Sequence, residues 1–471
     1  MLTATVVALA NVSAGPEIDT LPERAKTELN PRLKQIGTIK PRNTNEISGS
    51  NWTLGCETLD RDFADYQEYK EYIVPLGIKT IRLQAGWAKT EKVKGKYDFA
   101  WLDAIIDDAT GRGLNILLET GYGNPAYEGG GGHDLSGGFP TSPEALTAWD
   151  CWVETMASRY KGKVRDWAMW NEPDNNSMHK PADIAAFNIR TAEIIKRIIP
   201  NARIGALSLA SSSPQLLNDC LKALSGAGKV DLFQWFIYHG YDFNPDSTYQ
   251  KVEALKSTLA KYSTQARMRQ GENGAPSEMA RKFALSNHPW TESSQAKWNL
   301  RRMMGDLGHD VESAVFTICD FNHTGREINR KGLLRATADK KVEKIKLAYY
   351  SVQNCAAVFD DTLERITDAS IEIAGEKEVS TFAYKNKKTG DPLIVMWDSS
   401  GTPGDSFETR PVEVTAKSIK FKEPVWVDLV SGRIYEIPAA SIKSSGGDTV
   451  FTNIPFYDAP VLIAEKSLVL K

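Results

Sequence analysis

The sequence predicts an α/β fold, a closed (β/α)8 TIM barrel followed by a C-terminal antiparallel β-sandwich, on three observations. Short apolar runs alternate with amphipathic stretches from about residue 51 to 355, the pattern of strands paired in parallel through helical crossovers. These runs number eight, which favours a closed barrel over an open sheet. After about Ala356 the helical periodicity stops and strand-like runs with turn signals take over. A chain of 471 residues can hold both units.

Taken in order, residues 1–15 are small and apolar through Val6-Val7-Ala8-Leu9-Ala10, with Val12-Ser13-Ala14 behind them. This composition is like a shortened signal peptide without its positive start, and it implies a secreted or periplasmic protein. Residues 16–50 are polar, contain Pro31 and Pro41, and read as an extension or a strand donated to another domain. The barrel spans 51–355. Its expected strands are Trp52–Cys56, Thr80–Gln84, Leu114–Leu118, Val164–Trp170, Arg203–Leu207, Leu232–Tyr238, Ala266–Gln270 and Ala314–Ile318. Apolar residues spaced by three and four mark intervening helices such as Phe99–Thr110, Pro143–Tyr160, Pro181–Ile199 and Ser294–Leu307. The glycines Gly129 to Gly132 fall in a long loop after the third strand, not at a strand-to-helix turn, so they are no dinucleotide fingerprint; a flexible lid is expected there. Residues 356–471 carry the runs Ser380–Tyr384, Leu393–Trp397, Pro424–Leu429 and Pro460–Ala464, a sandwich expected to brace the barrel.

Composition narrows the partners. A net charge of −3 with scattered Lys and Arg leaves no basic stripe for a phosphate backbone, which argues against nucleic acid. No run reaches the ~18 to 20 apolar residues that span a bilayer. Cys56, Cys151, Cys220, Cys319 and Cys355 are odd in number and lack metal-ligand spacing, so they read as mostly buried thiols. Asp320 and His323 have no third partner for a metal; no metal and no cofactor are expected.

In such a barrel, functional side chains gather at the C-terminal ends of the strands. The fourth run ends in Asn171-Glu172-Pro173 and the seventh in Gly271-Glu272-Asn273-Gly274. Three βα units separate the two glutamates, roughly 33 residues per unit against ~31 in a typical barrel, which puts both on one rim. Paired carboxylates suit glycoside hydrolysis, one protonated to assist the leaving oxygen and one ionised to meet the oxocarbenium-like centre. Glu172 is the expected general acid/base and Glu272 the nucleophile, with Glu278 a nearby rival. The charge of Glu272 is expected to raise the pKa of Glu172, while Arg82, inside the run Thr80-Ile81-Arg82-Leu83, would keep Glu272 ionised. Glu57 and Glu119 also end strands and are candidate sugar-binding carboxylates. Trp87, Tyr122, Asn124 and Trp170 follow strand ends and are candidate sugar contacts, core packing being the alternative for Trp170. Asp320 and Asn322 complete the candidate set.

These residues carry a resemblance. Trp170-Asn171-Glu172-Pro173 at strand four and a glutamate at strand seven resemble the clan A glycoside hydrolases. The Trp-Asn-Glu-Pro run and Glu119-Thr120-Gly121-Tyr122 are most like family 39, which holds β-xylosidases and α-iduronidases; His239-Gly240-Tyr241 and Gly271-Glu272-Asn273-Gly274 are similar to family 5. The resemblance covers about Asn51 to Cys355. It implies that Asn171 bonds the substrate 2-hydroxyl, that Tyr241 orients Glu272, and that His239 belongs to the site. A retaining double displacement on an oligosaccharide or polysaccharide follows, with no cofactor, and long loops after strands three and seven favour attack at chain ends. The chain departs from the clan at strand eight, where Thr317-Ile318-Cys319-Asp320-Phe321-Asn322-His323 stands in place of a floor tryptophan. A glycan-binding barrel without catalysis and a transglycosylase are the alternative readings; oligomeric state and sugar identity are not legible.

Overall fold

A computed structural model describes residues 27–323 and 327–470; the signal-like start, residues 1–15, lies outside them. Strand β1 (Gln35–Thr38) precedes eight strands that pair in parallel: β2 (Trp52–Gly55), β3 (Thr80–Gln84), β4 (Asn115–Thr120), β5 (Asp166–Met169), β6 (Arg203–Leu209), β7 (Trp235–His239), β8 (Arg267–Glu272) and β9 (Ser313–Val315). Their order around the sheet is β8-β7-β6-β5-β4-β3-β2-β9, and bridges between Arg269 and Glu312 and between Asn273 and Val315 join the two ends. The chain is therefore a (β/α)8 barrel. The expected sixth strand began too early, because Val230–Leu232 is a 3-10 turn; a continuous apolar run does not mark where a strand starts.

Two of the surrounding helices start at serine caps. Ser142 accepts from the Ala145 amide ahead of Pro143–Tyr160, and Ser213 from the Leu216 amide ahead of Pro214–Gly226, each with proline at the first helical position, where its missing N–H costs nothing. Tyr66–Leu76 ends at Gly77 with φ 83°, a left-handed cap natural to glycine.

Beyond the barrel, six strands from Leu363–Arg365 to Val461–Glu465 form a seven-stranded sheet with β1, which lies at its edge beside Arg433–Glu436, and Ser370–Ile373, Arg410–Lys417, Asp448–Phe456 and Ile442–Ser445 form a four-stranded sheet. Helix Leu347–Val358 is buried almost all round, as an apolar helix between two layers should be. It ties them together: Tyr349 Oη donates to the Tyr72 carbonyl on the barrel side, and Asn354 Nδ2 to the Leu429 carbonyl on the sandwich side. Among the described residues no helix is long and apolar enough to cross a membrane. The cysteines are unpaired and buried except Cys151, which is exposed.

The glycine loop after β4 differs from the slack lid expected of it. The Gly123 amide donates to Gly132 O, Asn124 to Gly130 O and Gly130 to Tyr127 O, all at 2.8–2.9 Å. A Cβ on Gly131, at φ 80°, would stand 1.9 Å from Gly138 O. The glycines are there because backbone meets backbone, not for slack.

Candidate active site

The site lies at the C-terminal ends of the barrel strands and is built around Arg82, which points inward from β3 and is 2% exposed. Its Nη1 donates to Glu57 Oε1 at 2.8 Å and Glu272 Oε2 at 2.9 Å; its Nη2 donates to Glu119 Oε2 at 2.8 Å and Asn171 Oδ1 at 2.5 Å. One guanidinium cannot neutralise three buried carboxylates. Burial, reinforced by the charges of Glu272 and Glu119 and only partly offset by Arg82, pushes Glu57 up to about 7, and burial also raises Glu119. Glu272 goes the other way: burial would raise it, but the charges of His239 and Arg82 and the hydrogen bonds from Arg82 and Tyr241 outweigh that and hold it below the ordinary glutamate value.

This difference makes a testable consequence. Folded Glu57 keeps its proton to about pH 7, whereas an unfolded glutamate releases it near 4.5. The protonated group's contribution to stability is thus complete below 4.5, declines between 4.5 and 7, and is constant above. Thermal melts across that window should show a shallower decline in Glu57→Gln than in the parent; equal slopes would place the proton elsewhere.

Glu172 ends the fourth barrel strand in a short turn of unusual backbone. Trp170 (φ 54°) and Glu172 (φ 49°) are both left-handed, a conformation uncommon for large side chains and stable only when the surroundings hold it. Here the Trp170 amide donates to Thr120 O at 2.8 Å and the Glu172 amide to Ser208 O at 2.9 Å, clamping the turn to both neighbouring strands. The Glu172 carboxylate accepts from His239 Nδ1 (2.8 Å) on one oxygen and from Asn175 Nδ2 (2.7 Å) on the other. His239 is fully buried; burial pulls its pKa down, but the charges of Glu272 and Glu172 outweigh that and raise it. Gly271, just before Glu272, makes room for it: a Cβ there would lie 3.1 Å from His239 Nε2 and 2.4 Å from an Ile237 methyl.

One ligand-type atom each from Glu172, His239 and Glu272 lies within 4.8 Å of the others, a spacing open to a metal ion. Each carboxylate oxygen of the pair, however, already accepts a hydrogen bond: Glu172 from His239 and Asn175, Glu272 from Tyr241 Oη (2.8 Å) and Arg82. The arrangement is two hydrogen-bonded carboxylates with a histidine bonded to Glu172 and its Nδ1 3.9 Å from Glu272. The side chains of Glu172 and Glu272 are 12% and 13% exposed, enough for a ligand to reach both.

Of the residues singled out from sequence, Glu57, Tyr122, Asn171, Glu172, Tyr241 and Glu272 line one pocket. Arg82, Glu119 and His239 stand directly behind it. Tyr122 Oη accepts from Asn171 Nδ2 at 2.8 Å. Other candidates lie elsewhere. Trp87 is buried against Trp149, Trp152 and Tyr127, and Trp170 against Trp149, Phe139 and Phe187, so both are core residues and not sugar platforms. Asn124 braces its own loop, donating to Glu91 O and accepting from the Ala126 amide. Asp320 is buried in an ion-paired cluster with Lys346 (2.6 Å) and Arg330 (3.1 Å), and Asn322 sits on a short hairpin strand outside the pocket lining. Glu278, the rival to Glu272, pairs with Arg330 and Arg335 instead.

The pocket also holds residues the sequence pattern did not single out: Arg61, Gln84, Lys331, and the rings of Phe283, Phe316 and Phe321. Gln84 ends the second apolar run, a strand-end position like those of Glu57 and Glu119. Phe316 and Phe321 supply, from the segment after the eighth strand, an apolar surface where no tryptophan stands.

Comparison with known proteins agrees with this architecture. Residues 57–127 match the sequence model of a β-galactosidase family of glycoside hydrolases. A stretch of 51 residues is 39% identical to β-galactosidase BgaA of Clostridium cellulovorans, covering 11% of this chain and 8% of that protein. Over the whole fold the chain is similar to a family 39 glycoside hydrolase from Bacteroides cellulosilyticus WH2, with a TM-score of 0.62 and 16% identity over 91% of this chain and 83% of that one. A monomeric β-xylosidase from Caulobacter crescentus CB15 gives a TM-score of 0.56 at 14% identity over 92% and 97% of the two chains. The chain thus shares its overall fold with these glycoside hydrolases.

Proposed function

We propose that the chain is a retaining glycoside hydrolase that releases sugars from oligosaccharides or polysaccharides by double displacement, with Glu272 as nucleophile and Glu172 as general acid/base. The observation that carries this reading is the approach of the two carboxylates, one oxygen of each lying within 4.8 Å. Retaining pairs stand about 5 to 5.5 Å apart, whereas inverting pairs need about 6.5 to 9.5 Å to admit a water between carboxylate and sugar. The environments divide the roles. Glu272, held ionised by Arg82, His239 and Tyr241, attacks the anomeric carbon while Glu172 protonates the departing oxygen; Glu172 then takes a proton from water, which releases the sugar and restores both groups. Asn171, fixed by Arg82 and Tyr122, takes the 2-hydroxyl. Attack at chain ends is supported by the walls: Leu135, from the loop after β4, and Phe283 and Ala284, from the loop after β8, line the pocket. The apolar start supports export, and with it action on polysaccharide outside the cell.

The test is hydrolysis of a panel of aryl α- and β-glycosides by the parent and by Glu172→Ala, with and without azide. Azide should rescue the variant on activated substrates and give a glycosyl azide of retained configuration. Binding of oligosaccharides without cleavage of any glycoside would make the chain a glycan-binding barrel, and full activity in the variant would remove Glu172 from the mechanism.

A further inference from the structure

Lys331 lies on the wall of the pocket and is 2% exposed. Its ammonium donates to the Ala284 carbonyl at 2.6 Å and stands 5.5 Å from the centre of the Tyr241 ring. The other cations of the site have counter-charges: Arg82 has Glu57, Glu119 and Glu272, Arg61 has Asp60, and His239 has Glu172. Among the described residues no carboxylate comes within 4.0 Å of Lys331. Placing an ammonium in a buried wall with one acceptor for its three protons is costly, and an apolar side chain would fill that space at less cost. The cost shows in its titration: burial pulls Lys331 down to about 7, with only the charge of Glu272 opposing.

The position of Lys331 says which part of a sugar it would meet. Glu272 Oε2 faces Arg82 and, beyond it, Asn171 and Glu57; Glu272 Oε1 faces Tyr241, whose ring Lys331 adjoins. An anomeric carbon set against Glu272 has C2 on one side and the ring oxygen, with C5 beyond it, on the other. With the 2-hydroxyl at Asn171, Lys331 falls on the C5 side. We propose that Lys331 is the recognition point for a negatively charged substituent on the C5 side of the bound sugar, so that the preferred substrates are glycosides of acidic sugars bearing a carboxylate or a phosphate there. This inference rests on the glycosidase reading of the pocket. The bound anion gives the ammonium the counter-charge the fold withholds, and a neutral sugar leaves it unpaired.

The experiment compares kcat/KM for aryl glucosides and galactosides with their uronides and their 6-phosphates, in the parent, Lys331→Met and Lys331→Arg. An acidic substrate should exceed its neutral counterpart by about tenfold or more, as expected where a site is built to pair a polar group, with the uronide arm or the 6-phosphate arm naming the anion. Lys331→Met should lose that preference, chiefly through KM, and Lys331→Arg should retain part of it. The KM of the parent for the acidic substrate should also rise as the pH passes about 7 and the ammonium loses its proton, a readout that holds even where a variant does not fold. A preference for neutral glycosides, or a preference unchanged in Lys331→Met, overturns the inference and leaves the glycosidase reading intact. No turnover of any glycoside overturns both.

Discussion

Glu272→Gln is expected to lower kcat by roughly 10^4 to 10^6-fold, the range seen when the attacking group of a covalent mechanism is removed. The substitution keeps the shape of the side chain and an oxygen that accepts from Arg82, while the new amide can donate to Tyr241 Oη, so the fold should survive and melts should shift little. What is lost is the charge. Without it no glycosyl–enzyme bond forms, and His239, whose proton is held partly by Glu272, binds it less tightly. The effect of removing both glutamates should therefore be far from the sum of the single effects, because each acts only with the other in place. Steady-state kinetics on an activated aryl glycoside, with intact-mass detection of a trapped glycosyl adduct, check this. An adduct that still forms on Glu272→Gln would place the nucleophile elsewhere.

Arg82→Met should be the substitution most costly to stability. It removes the cation shared by Glu57, Glu119 and Glu272 and the donor to Asn171, leaving three buried carboxylates without the positive charge they share. Breaking a buried ion pair from one side typically costs about 3 to 5 kcal/mol, because the remaining charge is stranded. Proton uptake by the carboxylates limits the damage but takes from Glu272 the charge that its proposed attack requires. Activity should fall by roughly 10^2 to 10^3-fold, as when a fixed donor is taken from a catalytic site. Its acid limb should move to higher pH, since the charge and hydrogen bond that lower Glu272 are gone. Arg82→Lys should be intermediate: a single ammonium keeps the charge but not the fork that reaches four side chains. Denaturant melts and the pH dependence of kcat/KM separate the two effects. A variant as stable as the parent would mean that Arg82 is dispensable to the buried carboxylates.

The single observation of inward-pointing charge on β3 therefore organises most of the site, and it was readable in advance. A charged residue inside an apolar run must find partners or be expelled, and Arg82 found four. The aromatic residues were not readable in the same way. Trp87, Tyr122 and Trp170 all follow strand ends, yet only Tyr122 lines the pocket; the two tryptophans turn outward into the layer between strands and helices. A large flat side chain is equally suited to a core and to a sugar face, and periodicity records only that it is buried from water on average. The glycines after β4 were misread for a related reason. Slack and close packing both select glycine, and only the positions of Gly138 O and Asn124 O show that here it is packing.

By itself, the sequence determined the alternation of apolar runs and helical stretches, and with it the barrel, the switch to strands that make the sandwich, and the strand ends at which Asn171, Glu172 and Glu272 stand. These follow from local pattern, since burial on one face leaves a period that a single chain displays. Only the tertiary structure decided which side chains meet: that Arg61 and Gln84 join the pocket, that His239 bonds Glu172 close to Glu272, that Glu278 belongs to Arg330 and Arg335, and that Lys331 is set beside Tyr241 without a counter-charge among the described residues. Those contacts link residues far apart in the chain, and their distances depend on how eight strands close around one axis, which no local period encodes.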